Sequence, residues 1–565
     1  MQRHTWKQWG AAALSAGLLE LPFPLAGPMA PWRSIFAWFG LVPLIWALLS
    51  TQTVDSSRPL RRAFLLGYLS GFLWYMGNCY WVRDTMSRYG DMPAFAPTLL
   101  LIAFSLVLGL YFGLFGLGLM LVRRATGNVK WALVAAPFLW TALDLLAARF
   151  TSVPWDQLGY SQVDKGVANL LAPWTGVYGI TFVLVAANSV LASGLIPGGQ
   201  PKRWAQGRWA FVAVGAVLFV RGATGNMGNP PQAPTSATAV LVQPNLDVGD
   251  DSNWTGPGEW DQHIADFTRL AEEQCKTYIA GMPQTGVPDG KVVCPVSAAP
   301  PDFVAWPEAP TPFSQDEPRF RLAMANLVRT THSAVLVGGI GNDFSTQEQR
   351  WQEYNSAMLY GPDGRFLARY DKIHLVPFGE FVPYENLLFF AKKLTGRVGK
   401  FDRGTSREPM TITGVEGKPH RYGVFICYES VFGDEVRHFA ANGAEVLVNI
   451  SDDGWYGDTS APWQHLNMAR MRAIENRRWL LRDTNTGVTA AIDPYGRVRQ
   501  SIPRHQADAL PAQFGFRSDI TFYSTHGDVF DWGCAILSIG VVIGCVNRLQ
   551  RSSAVTAQVQ DKVRS

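Results

Sequence analysis

The sequence predicts a multi-span α-helical membrane bundle joined to a layered α/β domain. Three observations predict it. Average hydropathy is close to zero, yet that average joins two populations: apolar runs rich in Trp, Phe and Leu before about residue 223, and evenly spread charges over 239–525. Several of the runs approach the ~20 apolar residues that a bilayer crossing needs. Basic residues crowd alternate connections between them, as the positive-inside rule requires.

Eight spans are expected, at 9–26, 34–49, 63–82, 94–122, 131–148, 166–195, 209–220 and 529–546. The first has a second reading as a signal peptide, since Arg3 and Lys7 precede an Ala/Leu run. Glu20, its prolines and the lack of a small-x-small cleavage site favour a span. The basic connections carry Arg58, Arg61 and Arg62, then Arg123, Arg124 and Lys130, then Lys202, Arg203 and Arg208; Arg548 and Arg551 follow the last span. The other connections carry Arg33, then Arg83 and Arg88, then Arg149 and Lys165. Both termini are thereby expected in the cytoplasm, with the large polar domain outside. "FTSVPWDQLGYSQVD" (150–164) falls in an outward connection and suits either the interface or a substrate entrance.

Between the last two spans, β-rich runs alternate with helical patterns, which favours a layered α/β fold over a β-sandwich. Strands are expected at 238–245, 303–309, 333–340 and 444–453, with one more ending in "VFICYES" (424–430). Pro-Asp-Gly at 362–364 and Asp493 to Gly496 each mark a hairpin turn. Helices are expected at 263–280, 317–331 and 463–482, the last packed on one side with an exposed basic face. Cys275 and Cys294 are the other cysteines of this domain; an oxidising compartment would allow them to pair or leave them free. The net charge of +4 is too small to argue for nucleic acid. No C-x-x-C or HExxH occurs, so no metal and no other cofactor is expected.

Three β-runs end in an ionisable or nucleophilic residue. "AWPEAP" supplies Glu308, "YDKIHLVPFGEFVP" supplies Lys372 and Glu380, and "ICYES" supplies Cys427, Tyr428 and Glu429. Alone, Cys427 reads as well as a buried structural thiol. The order carboxylate, lysine, cysteine resembles the catalytic set of the nitrilase superfamily, whose domains are αββα sandwiches. With the N-terminal spans and the single C-terminal one, and with "HLVPFGEFVP", "PWQHLNMARMRAIE" and "TNTGVTA", the chain resembles the apolipoprotein N-acyltransferases along nearly its whole length.

That resemblance implies a domain plan: 1–225 in the membrane with about seven spans, 238–525 a periplasmic catalytic domain, 529–546 a final span and 547–565 a cytoplasmic tail. It implies a multi-pass protein of the bacterial inner membrane. Its partners would be a phospholipid acyl donor, a diacylated apolipoprotein acceptor and the bilayer. Glu308 would be the base, Lys372 the charge that faces the oxyanion, and Cys427 the acyl carrier. Glu380, Tyr428 and Glu429 would support them, Glu429 by holding the lysine or the incoming amine. Trp254 would touch substrate, with Trp260 a competitor for that match. Leu387, Leu388, Phe389 and Phe390 precede Lys392, Lys393, Arg397 and Lys400; they suit a loop dipping into lipid or an ordinary amphipathic helix. Rival readings are a membrane-tethered amidase, a Cys-His pair using His374 or His465, and a transporter or sensor. The last leaves the Glu-Lys-Cys set unexplained.

Overall fold

The computed structural model describes residues 6–90, 92–196, 232–248, 259–276, 300–308, 313–377, 379–381 and 401–564. The expected span at 209–220, Trp254, Cys294 and Leu387 to Phe390 lie outside these residues, as does the side chain of Cys275. Two compact units result. One comprises Met1–Arg83, Pro93–Asn229 and Asp528–Ser565; the other comprises Asp84–Met92 and Pro230–Gly527.

Among the described residues of the first unit, five segments are long and apolar enough to cross a membrane: Pro31–Leu49, Ala96–Thr126, Val129–Thr151, Gly166–Ser193 and Val529–Ser552. The runs at 9–26 and 63–82 form helices Trp6–Glu20 and Pro59–Asn78. The first of these has 15 residues, about 22 Å at helical rise, against a hydrocarbon core of about 30 Å. Pro31–Leu49 is broken into a 3-10 turn, Pro31–Trp38, and helix Val42–Leu49. Backbone freed by a break in lipid needs a polar partner. Asn188 supplies it, accepting from the Leu41 N–H at 2.8 Å and donating to the Ala37 carbonyl at 2.9 Å. Helices Pro59–Asn78 and Ala96–Thr126 approach so closely that a Cβ on Gly67 would meet the Phe112 carbonyl at 2.2 Å. Small residues permit such approach, and van der Waals packing helps to drive it once lipid replaces water.

The second unit holds two six-stranded sheets, of order β12-β1-β2-β3-β4-β5 and β11-β10-β9-β8-β7-β6. The first contains β1 (Ala237–Gln243), β2 (Phe303–Ala305), β3 (Ala334–Ser345), β4 (Arg350–Tyr360), β5 (Phe366–Asp371) and β12 (Asp508–Phe514). The second contains β6 (Met410–Thr413), β7 (Pro419–Ile426), β8 (Val446–Ser451), β9 (Leu480–Thr484), β10 (Thr489–Ile492) and β11 (Val498–Ile502). Helices Glu259–Lys276 and Pro318–Thr331 cover the first sheet; their Phe267, Phe320, Met324 and Leu327 close a core with Val240, Val304 and Val335. Helices Gly433–Ala441 and Ala461–Asn476 pack on the second, and the sheets face each other through β1 and β9 and through β4 and β7. Helix, sheet, sheet, helix is the expected αββα sandwich. Both hairpin turns form, with Gly364 at φ 79° and Gly496 at φ 79°, left-handed values that glycine adopts without strain.

Two expectations are corrected. The helix expected at 463–482 stops at Asn476, because Arg477 turns left-handed at φ 52° and Leu480–Thr484 pairs in parallel with β8. The apolar and β-favouring residues after Arg478 serve a strand. Nor does that helix show a basic face. Arg470 and Arg472 are buried: Arg470 donates to the Gly496 carbonyl at 2.7 Å, and Arg472 pairs with Glu475 at 3.0 Å. Strands β6, β9 and β12 are additions to the sequence reading.

The segment Asp84–Met92 also belongs to this unit. Thr85 donates to the Trp455 carbonyl at 3.0 Å and Tyr89 to the Gly454 carbonyl at 3.2 Å. The Tyr89 ring meets Trp455 edge-on at 5.0 Å.

Candidate active site

The site forms where strands of the two sheets end side by side. β2 leads through Trp306 and Pro307 to Glu308; β5 leads directly into Lys372; β7 leads directly into Cys427. All three side chains are buried. The Lys372 ammonium donates to Glu308 Oε1 at 2.9 Å and to Glu380 Oε1 at 2.9 Å. Glu308 Oε2 accepts from the Asp452 N–H at 2.9 Å, and Glu380 Oε2 accepts from the Val376 N–H at 2.7 Å. Each carboxylate thus has one oxygen tied to backbone and one on the lysine.

Asn355 completes this group, and the sequence reading missed it. Its Nδ2 donates to Glu308 Oε1 at 2.8 Å and to Glu380 Oε1 at 2.7 Å. Its carbonyl accepts from the Lys372 N–H at 2.9 Å. An asparagine inside the β4 pattern carries no signal by itself. The β4–β5 register, Ser356 opposite Asp371, brings it beside the lysine.

Burial alone would lower the Lys372 pKa, but the Glu308 and Glu380 carboxylates outweigh it and hold the group well above its ordinary value. It therefore stays an ammonium. Burial pushes the Cys427 thiol well up; Glu308 adds to the rise and Lys372 opposes it. The resting group is a neutral thiol, which a base must deprotonate as it attacks.

Cys427 adopts φ 49°, unusual for a residue with a Cβ. The chain there leaves β7 and enters the 3-10 turn Cys427–Val431, so the nucleophile candidate sits on a sharp elbow. Glu429 locks that elbow. Its Oε2 accepts from the Ile426 N–H at 2.7 Å. Its Oε1 accepts from the Tyr370 hydroxyl at 2.8 Å and from the N–H groups of Ile373 and His374 at 2.7 and 3.1 Å. No hydrogen bond joins it to the Lys372 ammonium; it ties the lysine's own loop to the cysteine's turn. The Tyr428 ring packs edge-on against Phe432 at 5.3 Å.

Behind the elbow lies a second buried group. His465 Nε2 lies 3.1 Å from the Cys427 carbonyl oxygen and 2.7 Å from Ser430 Oγ, and its Nδ1 lies 2.8 Å from Asp453. These contacts place His465 on the backbone of the cysteine. His374 instead stacks on Phe432 at 4.3 Å and contacts Glu435 at 2.9 Å. Burial works against the Asp453 charge, but Arg482 and His465 overcome it and hold that carboxyl far below the usual range. Trp260, the competitor for Trp254, packs edge-on against Phe313 at 4.1 Å in the core between helix and sheet.

Taken together, an ammonium clamped by two carboxylates beside a strained, protonated cysteine can do acyl transfer through a thioester. Comparison with known proteins agrees. Residues 15–190 match the model of the apolipoprotein N-acyltransferase N-terminal domain, and residues 263–513 match that of the carbon-nitrogen hydrolases. A protein of Geobacter metallireducens named apolipoprotein N-acyltransferase is 33% identical, over 93% of this chain and 92% of that one. One of the same name from Ralstonia nicotianae is 31% identical over 97% of each chain. Among solved structures, Saccharomyces cerevisiae Nit3, of the nitrilase superfamily, is 15% identical with a TM-score of 0.34, covering 50% of this chain and 92% of that one. The chain belongs to the apolipoprotein N-acyltransferase family.

Proposed function

We propose that the protein moves a fatty acyl chain from a membrane phospholipid, through a thioester on Cys427, to the N-terminal amine of a diacylglyceryl-cysteine apolipoprotein. The observation that carries this is the Lys372 ammonium held at 2.9 Å by both Glu308 and Glu380 beside the Cys427 elbow. In the first step Glu308 takes the thiol proton as sulfur attacks the ester carbonyl, while Lys372 faces the developing oxyanion. The ester C–O bond breaks, and Glu308 returns the proton to the departing lysophospholipid oxygen. In the second step the neutral amine attacks the thioester and passes its proton to Glu308. The C–S bond breaks, and the thiolate recovers that proton. Glu380 and Asn355 keep the lysine charged and aimed, Glu429 fixes the elbow, and Tyr428 lies next to the reacting sulfur. Trp254 and Leu387 to Phe390 are assigned to substrate contact.

Two substrates anchored in lipid explain why an αββα domain is carried by membrane helices. The proposed setting is the bacterial inner membrane, with residues 1–225 and 529–546 in the bilayer and residues 238–525 in the periplasm. The experiment loads purified protein with labelled phospholipid and chases with a diacylated lipopeptide. A thioester should form on Cys427 and discharge onto the peptide amine. Cys427→Ala should form none, and Glu308→Gln should slow loading by about 10²- to 10⁴-fold. A thioester that discharges only to water would refute the acceptor assignment.

A further inference from the structure

A second polar site lies in the membrane unit. Asp156, in the connection after Val129–Thr151, is 1% exposed. Its Oδ2 accepts from Asn78 Nδ2 at 3.1 Å. Its Oδ1 is buried with no hydrogen-bond partner. Asp156 and Asp144 both line a cavity of about 30 Å³. Aromatic side chains, among them Trp74, Tyr75, Phe112 and Trp140, form much of the remaining wall, which Gln157 and aliphatic residues complete. Phe112 is the hinge of that cage, 5.7 Å from Trp74 and 4.8 Å from Trp140. No basic side chain is among the described residues that line the cavity.

Buried carboxylates are costly unless a cation or several donors meet them. Within membrane proteins such groups mark sites for charged ligands. The kind of cation follows from the walls. A hard metal ion needs a shell of oxygen ligands, which aromatic faces do not offer. Those faces do attract organic ammonium groups. The unpartnered Asp156 Oδ1 narrows the choice: a primary ammonium donates a hydrogen bond to it, whereas a trimethylammonium has no N–H to donate. Burial holds the Asp156 carboxyl at about 7, so an arriving cation would find it ready to ionise.

We propose that this cavity binds a primary ammonium group, with Asp156 and Asp144 as its counter-charges and the aromatic cage as its walls. An amino-headed lipid and the free N-terminal amine of a lipid-modified peptide both present that chemistry. The proposal concerns binding alone and stands independently of the thioester reading.

The test uses the full-length Cys427→Ser protein, so that no turnover intervenes, with bound ligand read by native mass spectrometry. One arm titrates phosphatidylethanolamine, phosphatidylcholine and phosphatidylglycerol of identical chains. The other titrates a diacylated lipopeptide with its amine free or acetylated. The expected result is at least a tenfold preference for the primary amine in one arm, which identifies the source. Asp156→Asn should abolish that preference. If its melting curve shows that this variant does not fold, Asp144→Asn and Trp140→Leu carry the same comparison. No amine preference in either arm, or a preference that survives these substitutions, would overturn the proposal.

Discussion

Asn355 donates to two carboxylates that also share one ammonium, so its loss should be felt at the lysine. Hydrogen bonds to charged groups contribute about 1.5–3 kcal/mol, which puts the expected loss in thioester-loading rate for Asn355→Leu at roughly 10- to 100-fold. Asn355→Asp should lose more, since it sets a third carboxylate against Glu308 and Glu380, and acidifying the buffer should partly restore it by protonating the newcomer. Single-turnover loading across pH measures both. Asp483 predicts the opposite kind of effect. It is fully buried, and burial raises its pKa well above the ordinary value. The unfolded chain therefore releases this proton near pH 4 while the folded chain keeps it, so stability falls as pH rises, by up to about 1.4 kcal/mol per pH unit until the folded pKa is reached. Asp483→Asn removes that penalty and should raise the melting temperature at pH 7–8 more than at pH 4. Glu308, Lys372 and Cys427 stood out in the sequence through their order at the ends of three β-runs and the family resemblance which that order carries, not through any one of them alone. Asn355 did not stand out, since its partners lie 47 and 25 residues away and only strand register joins them. For Glu429 proximity to the cysteine was readable, but its three hydrogen bonds to Tyr370, Ile373 and His374 were not.

Among elements, strands were easier to find than to bound. Both hairpins were legible from their turns, because Pro-Asp-Gly and Asp493 to Gly496 place glycine where φ is positive. The helix Ala461–Asn476 was legible in its start and misread in its end and its faces. Alternating apolar and arginine residues look amphipathic in one dimension. In the fold, carbonyl groups of neighbouring turns and Glu475 receive the arginines from within. Breaking one partner of a buried ion pair costs about 3–5 kcal/mol, whereas replacing both with apolar residues is often neutral. Arg472→Leu should therefore destabilise by about that amount, and Arg472→Leu with Glu475→Leu should recover much of it, as read by chemical denaturation. Equal losses in single and double variants would mean that both residues serve independent contacts.

For the whole molecule, hydropathy marked five runs that, among the described residues, form segments long and apolar enough to cross a membrane, while the expected spans at 9–26 and 63–82 differ from these in length or polarity. The proposed topology makes a direct prediction. Single cysteines placed at Ser56 and at Met92 lie in connections of opposite type, the first rich in arginine. An impermeant thiol reagent added to intact cells with a permeabilised outer membrane should label position 92 and spare position 56. Labelling of both, or the reverse pattern, would require a different span count. The stretch Asp84–Met92 has one more consequence, which concerns how the polypeptide is made. It leaves the ribosome long before any strand of the unit it completes. Until the turn Asp453–Tyr456 exists, Tyr89 and Thr85 have no partner there. A gene fragment starting at residue 230 would omit it altogether and leave Trp455 uncovered next to the aspartate that holds His465. Biogenesis therefore ends as an act of retrieval, in which late-synthesised chain collects an early one.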